Sequence, residues 1–216
     1  MISVDHYYPI LGQTPFSELH STSTMPLHLI TQINAPRLHL RPVAASDLPA
    51  LMQVNGDDQV TQFLPYASWT KLEDAQAWLQ RMDTMAQSGE SRQLVIVRNE
   101  DAAVIGTVLL FRYEEGSARV EIGYVLGRVH WRQGYAREAL VAVLAHAFGD
   151  MSIRRIEAQV NAANTASNAI LLAIGFKHEG LLRQRWVDKG AARDVNFYGC
   201  LAGEWQQCPA ADQGSS

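Results

Sequence analysis

Apolar positions change period along the chain. Arg37-Leu38-His39-Leu40-Arg41-Pro42-Val43 alternates apolar with polar residues, the period-two pattern of a strand with one buried face. Ser46-Asp47 then opens a short helix, with Pro49 in a first turn where a missing N–H costs nothing. From Thr70 the period lengthens. Leu72, Ala75, Trp78, Leu79 and Met82 recur at helical spacing, Thr70-x-x-Glu73 reads as a capping box, and Gly89 stops the segment. Strands follow at Gln93 to Arg98, Val104 to Tyr113 and Arg119 to Leu126, separated by turns at Asn99 to Ala102 and Glu114 to Ser117, with Gly106 placed for a bulge. Up to this point the pattern is one of antiparallel hairpins.

It then changes. Gly134 to Phe148 is rich in Ala and Leu and reads as a helix ended by Gly149-Asp150, followed by a strand at Arg155 to Val160. Asn164 caps a further helix running to Ile174 and closed by Gly175. Two last strands, about Phe176 to Val187 and Arg193 to Leu201, join through the turn signal Asp188-Lys189-Gly190. Strand, helix, strand from Val120 to Val160 predicts a parallel crossover. The fold class is therefore α/β (α+β): a mixed, mostly antiparallel sheet with helices on both faces. Residues 1–36, rich in Ser, Thr, Pro and His, read as a flexible arm, although Tyr7, Tyr8, Phe16 and Leu19 offer packing surface. Residues 37–205 form one domain, and 206–216 read as a disordered polar tail.

Composition narrows the function. With 47% hydrophobic and 19% charged residues in 216, chain-long disorder, collagen and coiled-coil architectures are excluded. A net charge of -4 leaves no basic surplus for displacing counterions from nucleic acid. Cys200 and Cys208 cannot build a disulfide framework, and no CxxC or His-x-x-x-His spacing points to a metal. No Lys or Arg precedes Arg37, as a signal or transit peptide would require, and the longest apolar run, Ala139 to Phe148, is too short for a bilayer. A soluble cytoplasmic protein without a membrane partner is expected.

Candidate chemistry concentrates between Arg128 and Glu138. A strand ends at Leu126 and a helix begins at Gly134, so unpaired first-turn N–H groups and the positive end of the macrodipole form an anion site. Gly134 and Ala136 are small enough to let a phosphate approach, and Arg128, Arg132 and Arg137 add charge. The alternative is an ordinary surface helix start. Neither GxGxxG nor GxxxxGK[ST] occurs.

The phrases Glu121-Ile122-Gly123-Tyr124, Gly134-Tyr135-Ala136-Arg137-Glu138-Ala139, Asn164-Thr165-Ala166-Ser167-Asn168, Gly175-Phe176-x-x-Glu179-Gly180 and Arg193-Asp194-Val195-x-x-Tyr198 resemble, in this order, the GNAT N-acyltransferases. More narrowly they resemble the ribosomal-protein N-terminal (alanine/serine) acetyltransferase branch, over about residues 37 to 203. The resemblance implies acetyl-coenzyme A as acetyl donor and no metal. It implies a diphosphate cradle from the amides of Arg132, Gln133, Gly134, Tyr135 and Ala136, with Trp131 standing where the family has a polar first residue. It also implies that the backbone of Tyr124, Val125 and Leu126 runs beside the pantetheine arm, and that Asn164 and Ser167 lie near its thiol end.

Amine attack on a thioester needs a neutral amine and a proton for the leaving thiolate. Glu121 is the candidate base; a strand glutamate paired with an arginine is the alternative. Ser167 is the candidate acid, since Leu171 and Leu172 occupy the helix where many family members carry a tyrosine; its alternative is a helix-start serine bonding backbone. Tyr198 is the reserve donor, or a strand tyrosine with a structural partner. Phe63, Tyr66, Trp69 and Trp186 are candidate acceptor-binding residues, with core packing as the competing role. The expected activity is acetylation of a protein N-terminal α-amine in a ternary complex, by a monomer or homodimer. Rival readings are a small-amine (polyamine or antibiotic-like) acetyltransferase and a non-catalytic acyl-CoA sensor.

Overall fold

The alternation at Leu38–Pro42 forms β2 of an eight-stranded sheet in the computed structural model, which describes residues 26–205. Along the chain run β1 (Ile33–Asn34), β2, α1 (Leu48–Asn55), α2 (Asp58–Thr61), α3 (Leu72–Gln87), β3 (Arg92–Arg98), β4 (Val104–Glu114), β5 (Arg119–Leu126), α4 (Tyr135–Gly149), β6 (Arg155–Asn161), α5 (Thr165–Ala173), β7 (Lys177–Asp188), β8 (Ala191–Leu201) and α6 (Ala202–Trp205). The strand order is β1-β2-β3-β4-β5-β6-β8-β7, and every neighbouring pair is antiparallel except β5 with β6. The mixed, mostly antiparallel sheet is as the patterning requires.

Period-two alternation divides the core between the faces. Leu94 and Ile96 of β3, Val108 and Leu110 of β4, and Val120, Ile122 and Leu126 of β5 pack with Ala139, Leu140, Val143 and Leu144 of α4. The intervening Val95 and Val97 pack on the other face with Leu48 and Leu51 of α1 and Ala75 and Trp78 of α3. Glu121 and Gly123 therefore project on the α1/α3 side, while Ile122 and Tyr124 project toward α4. Each leucine-sized side chain so buried contributes about 1.5–3 kcal/mol.

Two local expectations need correction, and the bulge expected at Gly106 is present. The domain begins before residue 37, because Leu27, Ile30 and Ile33 are 0%, 1% and 5% exposed and belong to the α4-side core; residues 1–25, with the aromatics assigned to the arm, and the tail 206–216 lie outside the described residues. The cap of α3 falls one residue later than the capping-box reading: the amides of Thr70 and Lys71 both donate to Asp74 Oδ2, at 2.8 and 3.2 Å, in place of Glu73. The β3–β4 irregularity lies beside Gly106, where a Cβ would stand 2.3 Å from the Val125 carbonyl oxygen, so β4 approaches β5 as only glycine permits.

One polar cluster ties β2 to α1. Asp47, 4% exposed, accepts both Nη atoms of Arg41 at 2.7 and 2.8 Å and the Ala44 amide at 2.8 Å. Burial opposes its charge, but these donors outweigh burial and hold its carboxyl below the usual range. A depressed carboxyl stabilises the folded state above its unfolded pKa of about 3.9 and loses that contribution as pH falls through the folded value. Asp47→Asn is therefore expected to cost about 2 kcal/mol at pH 7. The gap to wild type should shrink as urea midpoints are measured from pH 5 down toward pH 2, and a gap independent of pH would refute the assignment.

Candidate active site

The single parallel pair does not stay paired. β5 and β6 are in register only at Arg119–Arg155, Val120–Ile156 and Glu121–Glu157. Beyond that point β5 follows β4 as far as Leu126, and β6 follows β8 as far as Asn161. Charge pins the closed end: Arg119 pairs with Glu114 and Glu157, while Arg155 reaches Glu157 at 2.7 Å and Glu179 at 2.5 Å. The open end is a wedge between strand termini, each followed by a helix whose first-turn amides have no carbonyl behind them.

On one side of this wedge lies the Arg128–Ala136 turn. Arg132 and Gly134 adopt left-handed φ of 61° and 81°, Gly134 is the N-cap of α4, and Arg132, Gln133 and Gly134 are exposed. The first-turn amides of Tyr135, Ala136 and Arg137 thus have no side-chain cap at Gly134, the arrangement that suits an anion. Trp131 does not replace the missing polar residue. Its indole N–H donates to the Leu126 carbonyl at 2.8 Å and fastens the turn to the end of β5. Tyr135 is buried beneath the turn, edge-on to His130 at 6.3 Å. Burial, helped by nearby Arg98, lowers the pKa of His130.

The wedge's other side is the start of α5. Asn164 Oδ1 accepts the Ser167 amide at 3.1 Å and caps the helix, leaving the Ser167 side chain half-buried at the wedge. Opposite it stands Tyr124, whose buried hydroxyl has no hydrogen-bond partner among the described residues. Burial pushes this phenol up to about 12, with neighbouring Ser167 pulling the other way; the two groups are close without reaching hydrogen-bond geometry. A buried donor left unmet costs about 1–3 kcal/mol, so a bound acyl chain with an acceptor atom there is a favourable occupant. Tyr198 is differently placed. It is 2% exposed, and its hydroxyl donates to Asn168 Oδ1 at 2.7 Å, where the Asn196 amide also donates at 2.9 Å. Its proton is committed to the α5–β8 contact, which answers the reserve-donor expectation with a structural partner.

Across the sheet, the α1/α3 face carries Glu121, 4% exposed. Glu121 Oε2 accepts from Arg112 Nη1 at 2.8 Å and from Gln159 Nε2 at 3.3 Å, the latter bond crossing from β6 just beyond the last parallel pair. Arg112 reaches it because β4 bulges between Phe111 and Glu114, and Arg112 there has φ 52°. The pairing with an arginine is therefore present, and the carboxylate still lies at the root of the wedge.

The four aromatics assigned to the acceptor separate. Trp69, 6% exposed, packs with Trp78 at 5.4 Å in the α1/α3 core, so packing claims it and it leaves the groove. Tyr66 stacks on Trp69 and donates to Asn55 Oδ1 at 3.0 Å; burial pushes its hydroxyl up to about 12. Phe63 and Trp186 are half-buried. Lys189 at the β7–β8 turn donates to the Thr61 carbonyl at 2.7 Å, which draws the hairpin against the end of α2 beside Phe63. Arg112, Gln159, the hydroxyl of Tyr124 and Asn168 escape sequence reasoning, because only the bulge and the diverging strands bring them to the centre.

Among the described residues no group of His, Cys, Asp and Glu could hold a metal, and no helix is long and apolar enough to cross a membrane. A family model described as "Acetyltransferase (GNAT) domain" matches residues 37–177. An N-acetyltransferase of Bacillus licheniformis, p20, is 33% identical over 169 residues, covering 78% of this chain and 95% of the relative. The ribosomal-protein-serine acetyltransferase of Escherichia coli is 31% identical over 58% of this chain and 69% of its own. The solved structure of RimL, a ribosomal α-N-protein acetyltransferase in complex with coenzyme A, superposes with TM-score 0.72 at 26% identity, over 79% of this chain and 97% of that one. With the diverging strands and the open turn in place, this chain belongs to the GNAT acetyltransferase family and is an acetyl-CoA-dependent N-acetyltransferase.

Proposed function

We propose that the acceptor is a protein N-terminal α-amine, acetylated by direct attack in a ternary complex, with Glu121 as base and Ser167 as proton donor. Acetyl-CoA supplies an acetyl group activated as a thioester. The amides of Arg132 to Ala136 bind its diphosphate, the β5 backbone from Tyr124 to Leu126 flanks its arm, and Asn164 fixes the start of α5 so that Ser167 faces the wedge. The acceptor enters from the α1/α3 face, between the loop bearing Phe63 and Tyr66 and the hairpin bearing Trp186. Glu121 takes a proton from the amine, directly or through one water, and Ser167 gives one to the departing sulfur.

One observation carries the choice of acceptor: Glu121 is the carboxylate at the wedge, and the acids of the α2 segment and the β7–β8 hairpin each have a partner. Asp57 pairs with Arg128, Asp58 accepts from Ser68, Asp188 pairs with Arg193, and Asp194 accepts the Gln184 amide. A polyamine would find two of these acids already ion-paired and only Asp58 and Asp194 left to meet its remaining ammonium groups, whereas an α-amine brings a single charge and a pKa of about 7.7–8.0, within reach of a carboxylate base. The name of the Escherichia coli relative supports the same reading. Thiol release should therefore be seen with peptides beginning Ser or Ala, and not with the same peptides blocked at the N-terminus or with spermidine. Turnover confined to spermidine would transfer the assignment to small amines.

A further inference from the structure

Arg37, in the turn between β1 and β2, touches the start of α4 in four ways. Its backbone N–H and its Nε donate to Glu138 Oε1 and Oε2, both at 2.6 Å. Its Nη1 donates to the Gln133 carbonyl at 3.1 Å, and its guanidinium lies over the Tyr135 ring, 4.5 Å from the centroid. Its Nη2 is 3.3 Å from where a Cβ on Gly134 would be. Glu138 is in the first turn of α4 with its side chain 14% exposed. A carboxylate there suits the macrodipole but repels a second anion at the same helix end.

We propose that Arg37 is a positioning residue for coenzyme A, cancelling the charge of Glu138 beneath the diphosphate and setting the direction of the Gln133–Gly134 peptide. This rests on the reading that the Arg132–Ala136 turn receives the diphosphate. In a trans peptide the C=O and the following N–H point opposite ways. With the Gln133 carbonyl held by Arg37, the Gly134 N–H turns outward, to the open side where the first-turn amides of α4 already lie. A segment remote in sequence thus presets an anion site before ligand arrives. Preorganisation of this kind acts on affinity and leaves chemistry alone.

Calorimetric titration of the full chain with coenzyme A and with dephospho-coenzyme A tests this. Arg37→Ala should raise Kd for both ligands by about tenfold or more, Arg37→Lys by less, and Arg37→Ala with Glu138→Gln should recover most of the loss. Thermal melts check that each variant is folded, and Arg37→Lys keeps the test open should the alanine variant not be. Unchanged affinity in both single variants overturns the proposal, as does a double variant no better than Arg37→Ala. A loss seen with coenzyme A and absent with dephospho-coenzyme A overturns it too, because Arg37 would then be reading the 3′-phosphate. Were Gly134→Glu to leave Kd unchanged, the cradle itself would fail, an outcome separate from any behaviour of Arg37.

Discussion

Gly134→Glu is expected to weaken coenzyme A binding by about a thousandfold. Gly134 is the N-cap of α4 at φ 81°, so any side chain there is held in the left-handed region at about 1–2 kcal/mol. Its Cβ would press on Arg37 Nη2 at 3.3 Å. The larger effect is electrostatic. A carboxylate about 5 Å from a diphosphate at an effective dielectric of about 20 costs about 3 kcal/mol per phosphate charge before screening. The strain is present with and without ligand and lowers folded stability, whereas repulsion from the two phosphate charges, about 6 kcal/mol before screening, by itself exceeds the roughly 4 kcal/mol that a thousandfold represents. Gly134→Ala separates the terms: it carries the strain, which shows in stability, and the contact that displaces Arg37, which should weaken binding about tenfold, without the charge. Titration of the folded variants with coenzyme A measures both, with melting temperatures falling alike in the two. Equal losses in Ala and Glu would mean that no anion binds at this turn.

Much of this architecture was legible because local and tertiary preferences agree. Val120, Ile122 and Leu126 alternate because one face of β5 packs on α4, and Asn164 and Gly175 bracket α5 by chemistry confined to a few residues. The turn proposed as the cradle is legible for the same reason: a strand end, a left-handed glycine and a helix start lie within one short segment. Residues at the wedge root were not. Gln159 meets Glu121 only because β5 and β6 are parallel neighbours that then part, and Arg112 meets it only because β4 bulges. Alternation put Glu121 and Gly123 on one face without saying which helices share it. Trp69 departs from a groove role for a related reason, since an aromatic in a loop looks the same in sequence whether it lines a groove or closes a second core. Arg37 lies 96 residues from Gln133, and its role follows from the sheet placing the β1–β2 turn beside α4.

Glu121→Gln is expected to lower kcat by about a hundredfold or more, the scale of a lost general base, with Kd for coenzyme A unchanged. The substitution suits the question because glutamine keeps the volume and can still accept from Arg112 and Gln159. Arg112 loses its ionic partner but is 58% exposed, so water compensates it and little stability should be lost. What disappears is the proposed acceptor of the amine's proton. The variant's rate should then follow the acceptor's own ionisation, rising with pH through about 8 as the α-amine becomes neutral. Arg112→Ala separates pairing from proton transfer: it frees the Glu121 carboxylate without removing it and should retain more activity than Glu121→Gln. If Glu121→Gln kept the wild-type rate and pH profile while Arg112→Ala did not, the buried carboxylate would serve only to hold the β4 bulge, and the proton would leave through water alone.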